Sequence, residues 1–211
     1  MEHLKTKSPY CARSSGAFSL IETLAVLTIV SLLLSMSVLG INSIADSTDL
    51  TSNGDQIVSH LVQARQRALS DNAHVEVRIY PPLESAAAKQ WMMVLARQGL
   101  EDSSSALQKP LILSDSIAIS KSPVYSSLIA LREKRQDETL MSRASGPKRE
   151  YLSFRYFPDG STNLPLNPNG DTWHLTVTSR KYIERAEAPL PDNFYTIRID
   201  PFTGAVRAFR P

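Results

Sequence analysis

The stretch SSGAFSLIETLAVLTIVSLLLSMSVLGI, residues 14–41, changes from small polar residues to an almost wholly apolar sequence. From Thr23 to Ile41 it contains 19 consecutive residues without a charge. As an α-helix this run would be about 28 Å long, which is close to the thickness of the hydrocarbon core of a bilayer. The stretch therefore predicts a membrane-spanning helix at the start of the chain.

The residues that precede this helix carry the whole net charge of the chain, which is +2. Lys5, Lys7 and Arg13 stand there against Glu2, which predicts a cytoplasmic N-terminus and places the remaining chain across the membrane. The rest of the chain holds 20 basic and 20 acidic residues, so its net charge indicates no nucleic-acid partner. The single cysteine, Cys11, lies in the same leader, and no disulfide is expected beyond it.

One carboxylate, Glu22, lies just inside the apolar stretch, where an unpaired charge would cost a few kcal/mol. It could serve as the third residue of a capping box that begins at Ser19, or it could pair with a cation. A secretory signal peptide would have a shorter apolar core with the small residues after it. Here the small residues 14–17 come before the apolar core, which does not favour that class of signal.

A basic leader followed by Gly16-Ala17-Phe18 and then Ser-Leu-Ile-Glu22 resembles the class III signal of type IV pilins and type II secretion pseudopilins. The resemblance implies that a prepilin peptidase cuts between Ala17 and Phe18 and that the new amino group of Phe18 is N-methylated. The family usually has glycine before the cut. A cut after Gly16 would move Glu22 from the fifth to the sixth mature position. The resemblance also implies that Glu22 pairs with the N-terminus of Phe18 in a neighbouring subunit during assembly.

The sequence after the apolar stretch predicts a second helical half and then strands. Residues 42–55 are polar and could either continue the helix or interrupt it. Ile57, Leu61, Ala64 and Ala68 recur at helical spacing, widened by Val58 and Leu69, and predict a helix over about residues 50–71. Period-two patterns and turn residues then predict strands within residues 74–80, 90–97, 110–120, 150–161, 172–180 and 194–210.

This order predicts an α+β fold in which a long N-terminal helix packs on an antiparallel sheet. The predicted parts are a leader over 1–17, a membrane and assembly helix over 18–41, a linker with the soluble half of the helix over 42–72, and a β-rich head over 73–211. Loop excursions are expected near 98–109 and 132–149. The motifs ARQRAL, FRYFPDGS and IDPFTGAV are similar to those of H-type minor pseudopilins. The long insertions and the terminal FRP also resemble Verru_Chthon cassette protein D, a pilin-like family.

No nucleotide-binding, zinc-protease or thiol-redox motif occurs in the sequence, and no cofactor is expected. The segment DGSTNLPLNPNGD, residues 159–171, offers Asp159, Asn169 and Asp171 as candidate calcium ligands. The same residue types are also those that turns require. Arg198, Arg207 and Arg210 lie in the last hairpin, either as a charged edge that blocks sheet addition or as a DNA-binding surface, which some related minor pilins have.

The sequence thus predicts a structural subunit and not an enzyme: a minor pseudopilin or prepilin-like protein of a type II secretion or type IV pilus-like filament. Its expected partners are the prepilin peptidase/methyltransferase, other pilin-like subunits bound through the N-terminal helix, and the bacterial inner membrane. The head would be periplasmic or extracytoplasmic. The alternatives are a DNA-binding minor pilin for DNA uptake and a membrane-anchored hydrolase.

Overall fold

A computed structural model describes residues 19–82, 90–98, 104–131, 134–137, 149–166, 173–183 and 190–211, without the side chains of 36–45, 98, 104, 105, 130, 134–137 and 149. The chain divides into two units, Met1–Ser43 and Ile44–Pro211. The first helix, α1, begins at Leu20 and ends at Ser70, so its two parts belong to different units. The polar residues 42–55 therefore continue the helix, which was one of the two alternatives left open by the sequence.

The part of α1 in the second unit contributes a stripe of side chains to the core. Ile57, Leu61, Ala64 and Ala68 are at most 1 % exposed, as their helical spacing predicts. Val58 is partly buried against this core, whereas Leu69 is 43 % exposed. The stripe is therefore narrower at its C-terminal end than the sequence suggested.

The described residues after α1 contain ten strands, a 3₁₀ turn at Ser127–Ala130 and a short helix, α2, at Arg180–Ile183. In chain order the strands are β1 Val75–Tyr80, β2 Met92–Gln98, β3 Ser104–Ala106, β4 Leu111–Ile112, β5 Ile117–Ile119, β6 Lys134–Asp137, β7 Arg149–Tyr156, β8 Trp173–Ser179, β9 Phe194–Ile199 and β10 Val206–Phe209.

The strands form two antiparallel sheets. The larger has the order β3-β2-β1-β7-β6, with β4 also paired to β2, and the smaller has the order β10-β9-β8-β5. One apolar core contains the buried side chains of α1 and residues from both sheets, such as Val77, Phe154, Leu175 and Ile197. The predicted α+β class, with an N-terminal helix and antiparallel strands, is confirmed. The prediction of one sheet is wrong, because residues 110–120 hold two short strands that belong to different sheets.

The two predicted loop excursions also contain strands. The described part of 98–109 includes β3, which pairs with β2, and the described part of 132–149 includes β6, which pairs with β7. Both strands lie at edges of the larger sheet and are three or four residues long. The residues of these strands are mostly polar, so the sequence has no alternating apolar pattern there that would indicate a strand.

Strand β1 is buried on both of its faces. Val75, Val77 and Ile79 are buried, and the charged residues that alternate with them, Glu76 and Arg78, are also only 5 % and 6 % exposed. The Glu76 carboxylate lies 2.6 Å from Nη2 of Arg78, and the guanidinium lies 4.8 Å from the centre of the Tyr151 ring. The second face of the larger sheet is therefore also a packed surface.

The helical path of residues 46–57 depends on contacts with distant parts of the second unit. Ser, Asp, Asn and Gly are weak helix formers, because their side chains or backbone freedom favour other conformations. Here their side chains form hydrogen bonds with other elements, whose residues lie 61 to 163 positions further along the chain. These bonds are Lys181 Nζ to Asp46, Arg210 Nη2 to Ser47 Oγ, Ser116 Oγ to Asp49, Arg210 Nη1 to Thr51 Oγ1, the Ser114 amide to Asn53 Oδ1, and Tyr195 Oη to Asp55 Oδ1.

Gly54 allows α1 to approach strand β9 closely. A Cβ atom at this position would lie 2.6 Å from Cγ of Tyr195, so the aromatic ring occupies the space that any side chain would need. The hydroxyl of Tyr195 bonds Asp55 Oδ1 at 2.6 Å, and burial together with this bond raises the pKa of Tyr195 to about 12. Glycine is therefore required here by packing, although it weakens an isolated helix.

We expect Gly54→Ala to lower the free energy of unfolding by about 1–2 kcal/mol, although alanine normally stabilises a helix by about 1 kcal/mol over glycine. Chemical unfolding of the full chain in detergent, followed by tryptophan fluorescence, measures the change. In a Tyr195→Ser background the ring is gone, and the same substitution should become stabilising. Gly54→Ala that stabilises the wild-type background would contradict the role given to the ring.

Two turns meet beside the C-terminal end of α1. The Phe157–Gly160 turn follows β7, and the turn over residues 200–204 joins β9 to β10. A Cβ at Gly204, whose φ is +63°, would lie 2.1 Å from the carbonyl oxygen of Gly160. Thr162 donates its amide and its hydroxyl to the Pro201 carbonyl, each at 3.0 Å. The motifs FRYFPDGS and IDPFTGAV thus form one joined structure.

Candidate functional site

The described side chains of α1 in the first unit form an exposed apolar surface. Every described side chain from Ser19 to Ser35 is exposed, and the apolar ones include Leu20 at 83 %, Leu27 at 67 % and Leu34 at 63 %. Exposed apolar surface of this extent marks a site of contact with a membrane or with another protein. This surface, residues 20–35, is the strongest candidate site in the described part of the chain.

The hydroxyl groups on this surface are satisfied within the helix. Thr23, Thr28 and Ser35 donate to the carbonyls of Leu20, Ala25 and Leu32 at 2.8–2.9 Å, and Ser31 donates to Leu27. A hydroxyl that bonds its own helix does not need water, so it can enter an apolar environment at lower cost. These four residues therefore add little polarity to the surface.

The start of α1 has the serine half of the capping box that the sequence offered as one alternative. The Ser19 hydroxyl accepts the amide N–H of Glu22 at 3.3 Å, and the Ser19 carbonyl accepts the amides of Glu22 and Thr23. This bond uses the backbone of Glu22 and leaves its carboxylate exposed in the first turn, where the helix dipole favours a negative charge. Glu22 is thus the one charged side chain among residues 19–35.

The geometry combines an apolar helical surface with a single carboxylate at its start. A carboxylate that enters an apolar environment must find a cation or lose its charge. The predicted processing residues Gly16, Ala17 and Phe18 lie outside the described residues, so the cut and the methylation remain predictions. Within the part of the chain that the structure describes, no helix combines the length and apolarity needed to cross a membrane.

Of the three candidate calcium ligands, only Asp159 lies among the described residues. Its Oδ1 accepts the amide and the hydroxyl of Ser161 at 2.9 and 2.6 Å, and these bonds lower the pKa of Asp159. The residue therefore has a clear role in its turn, whereas Asn169 and Asp171 are not described. Among the described residues, no group of three or more His, Cys, Asp and Glu side chains is placed to hold a metal ion.

The three C-terminal arginines do not share one surface function. Arg210 donates to Ser47 and Thr51 of α1, so it fastens the end of the last hairpin to the helix. Arg198 and Arg207 face each other in the β9–β10 register, and Arg198 lies 5.4 Å from the ring centre of Phe209. Of the three arginines in the DNA-binding alternative, Arg210 therefore makes a structural contact with α1.

Sequence reasoning did not detect a serine–histidine pair between the 3₁₀ turn and β8. Ser127 Oγ lies 3.1 Å from His174 Nδ1, and His174 Nε2 lies 3.2 Å from the Val124 carbonyl. The same serine oxygen accepts the amide of His174 at 2.9 Å, so it serves as a partner for the backbone of β8. The Ser126 hydroxyl oxygen likewise accepts the amide of Thr176. The two hydroxyls thus extend the pairing of β8 where β5 has ended, which no local sequence pattern signals.

Comparisons with solved structures give two that are similar in part. A structure of the minor pseudopilin EpsH from the type II secretion system of Vibrio cholerae aligns with a TM-score of 0.43 and 8 % identity over 77 % of this chain and 98 % of that chain. A crystal structure of the same pseudopilin aligns with a TM-score of 0.44 and 9 % identity over 78 % of this chain and 96 % of that chain. No protein-family model matches the sequence, and no curated protein matches it.

Proposed function

We propose that this chain is a prepilin-like structural subunit, a minor pseudopilin of a type II secretion or type IV pilus-like filament. One observation carries the proposal: α1 begins with an exposed apolar surface that has a single carboxylate, Glu22, in its first turn. The sequence places the motif Gly16-Ala17-Phe18 directly before that helix. The chain acts by assembly and carries out no catalysis of its own.

Processing prepares the helix for assembly. A prepilin peptidase hydrolyses the peptide bond between Ala17 and Phe18, which removes the basic leader and leaves a new amino group at Phe18. The amino group is then N-methylated and keeps its positive charge. Before assembly the apolar run Thr23–Ile41 anchors the subunit in the inner membrane, with the second unit on the extracytoplasmic side.

Assembly moves the helix from lipid into a bundle of similar helices. The apolar side chains of residues 20–35 lose little by this transfer, since both environments are apolar. The hydroxyls of Thr23, Thr28, Ser31 and Ser35 are already bonded within the helix and need no new partner. Glu22 gains the ammonium group of Phe18 from a neighbouring subunit. That single ion pair fixes the axial position of one helix relative to the next.

The N-terminus of the mature protein tests the proposal directly. We expect protein purified from cells that contain the prepilin peptidase to begin with N-methylphenylalanine at Phe18, because Glu22 is then fifth. Mass spectrometry of the N-terminal peptide measures this, and cells without the peptidase supply the control with an intact leader. A start at Ala17 would correct the position of the cut by one residue. An intact leader in peptidase-containing cells would overturn the proposed function.

A further inference from the structure

Residues 46–53 of α1, here called the latch segment, attach to the rest of the second unit in a different way from the core stripe. All of them except Leu50 are Asp, Ser, Thr or Asn, so Leu50 is the only apolar side chain that the segment can bury. Leu50 is 1 % exposed, and Asn53 is buried as well. One apolar side chain therefore supports about two turns of helix here, whereas the stripe from Ile57 to Ala68 contributes four that are fully buried.

Polar bonds make up the rest of the attachment, and one side chain supplies two of them. Arg210, which follows β10, donates to Ser47 Oγ at 2.6 Å and to Thr51 Oγ1, one helical turn further along α1. Lys181 pairs with Asp46, and the two side chains of this pair are 55 % and 35 % exposed. Bonds between exposed groups add little to stability, because water competes for the same groups.

Two further bonds connect the latch segment to the chain between β4 and β5. The Ser116 hydroxyl donates to Asp49 Oδ2, and the Ser114 amide donates to Asn53 Oδ1, each at 2.9 Å. The backbone of the segment offers little resistance to opening, since Asp, Ser, Thr and Asn are weak helix formers whose side chains favour other conformations. The helix of the latch segment therefore depends on its long-range bonds.

The attachment of α1 changes in character at Gly54. A Cβ at Gly54 would lie 2.6 Å from the ring of Tyr195, and the hydroxyl of this tyrosine donates to Asp55 Oδ1 at 2.6 Å. From Ile57 onward the helix is held by the packing of its apolar stripe in the core. Opening that begins at Asp46 would therefore stop at Gly54, and the core would stay folded, as in other local openings of native proteins.

We propose that the latch segment opens separately from the core of the second unit and that Arg210 is the side chain that holds it closed. Opening breaks the bonds of Arg210 and Lys181, exposes Leu50 and converts residues 46–53 into an extended polar chain. Such opening requires no second subunit, so it does not depend on the proposed function. It exposes backbone amides to exchange with solvent, which makes it measurable in the chain alone.

Hydrogen–deuterium exchange of the full chain in detergent, followed by mass spectrometry, tests the proposal. In the wild type we expect the amides of residues 46–53 to exchange at least about 100-fold faster than those of residues 61–68. Arg210→Gln should speed exchange in the latch segment by about a further tenfold and leave residues 61–68 unchanged, because it removes two bonds from a charged donor. Arg207→Gln, at an exposed arginine of the same hairpin, is the matched control and should change neither rate.

Three results would overturn the proposal. Equal protection of residues 46–53 and 61–68 in the wild type would show that the helix opens as one body. Unchanged exchange in Arg210→Gln would show that this side chain does not hold the segment, and a rise shared equally by residues 61–68 would show a loss of the whole core. Lys181→Gln removes a different bond and should give a smaller rise confined to the latch segment. The wild-type comparison decides the result even if Arg210→Gln does not fold.

Discussion

Glu22→Gln is expected to lower the ratio of assembled to membrane-resident, processed subunit by about two to three orders of magnitude. The substitution keeps the shape of the side chain and removes only its charge. In the proposed filament the Phe18 ammonium of the neighbouring subunit would then be buried without its partner. An uncompensated buried charge costs about 3–5 kcal/mol, and each 1.4 kcal/mol is about a factor of ten in an equilibrium constant.

The structure separates this effect from helix capping. The cap consists of the Ser19 hydroxyl and the backbone amide of Glu22, at 3.3 Å, and glutamine has the same amide. Glu22→Gln therefore leaves that bond in place, and the lost charge–dipole interaction is worth no more than about 1 kcal/mol. Membrane insertion and cleavage should continue, because the leader and the apolar run are unchanged.

Two control variants complete the experiment. Ser19→Ala removes the capping hydroxyl and keeps the carboxylate, at a cost of about 1 kcal/mol of local helix stability. Thr23→Val removes a hydroxyl one residue further along the exposed surface and changes no charge. Both should assemble at close to the wild-type ratio. If Glu22→Gln assembles as well as these controls, Glu22 is a helix-start residue only, and the main physical support for the filament disappears.

Arg78→Met is expected to lower the free energy of unfolding by about 3–5 kcal/mol, because it leaves a carboxylate buried without its partner. Glu76 and Arg78 have side chains that are each 7 % exposed, and Nε and Nη2 of Arg78 both bond Glu76 Oε2. Burial opposes the charge on Arg78, but the hydrogen bond and charge of Glu76 outweigh it and raise the pKa of Arg78. The other oxygen, Oε1, has no hydrogen-bond partner within the described chain. A single partner therefore supports this carboxylate.

A double substitution separates the contribution of the two charges to stability from the contribution of the space that the two side chains fill. Glu76→Leu with Arg78→Met removes both charges, and it should be close to neutral or stabilising, as for other buried pairs replaced by apolar residues. Arg97→Met, on the neighbouring strand β2 where the side chain is exposed, should change stability by no more than about 0.5 kcal/mol. Unfolding of the full chain in detergent is followed through Trp91, which is buried. A single Arg78→Met that matches Arg97→Met would show that the pair contributes nothing.

The sequence was most informative where burial follows a simple period. Ile57, Leu61, Ala64 and Ala68 predicted the core stripe of α1, and alternation located β1 and β8. It failed where the partner of a residue is far away in the chain. Nothing local indicates that Glu76 and Arg78 are covered on the second face of the sheet, because alternation assigns charged residues to water. Strands β3 and β6 were missed for a related reason, since an edge strand needs no apolar pattern of its own.

The same distinction applies to the candidate site: features that depend on neighbouring residues could be predicted, and those that depend on distant parts of the chain could not. The spacing of Ser19 and Glu22 predicted the contact of the Ser19 hydroxyl with the Glu22 amide, because both residues lie in one helical turn. The apolar run predicted a membrane-spanning helix, and the described part of α1 shows an exposed apolar surface there. The contacts of Arg65 with Thr203 and Gly160 could not be predicted, since they join α1 to two turns that lie about 95 and 138 residues further along the chain. The Ser127–His174 pair likewise depends on the path of the chain between β5 and β8.

The long-range bonds of residues 46–57 also set an order of events during folding. This segment is synthesised early, but its partners Ser114, Lys181, Tyr195 and Arg210 are synthesised late. A weak helix former gains little from its own hydrogen bonds until such contacts exist, and contacts between distant residues form slowly. We therefore expect residues 46–57 to be among the last parts of the protein to complete their helix, although they lie near the beginning of the chain. On this expectation the segment becomes fully ordered only after nearly the whole chain has been synthesised.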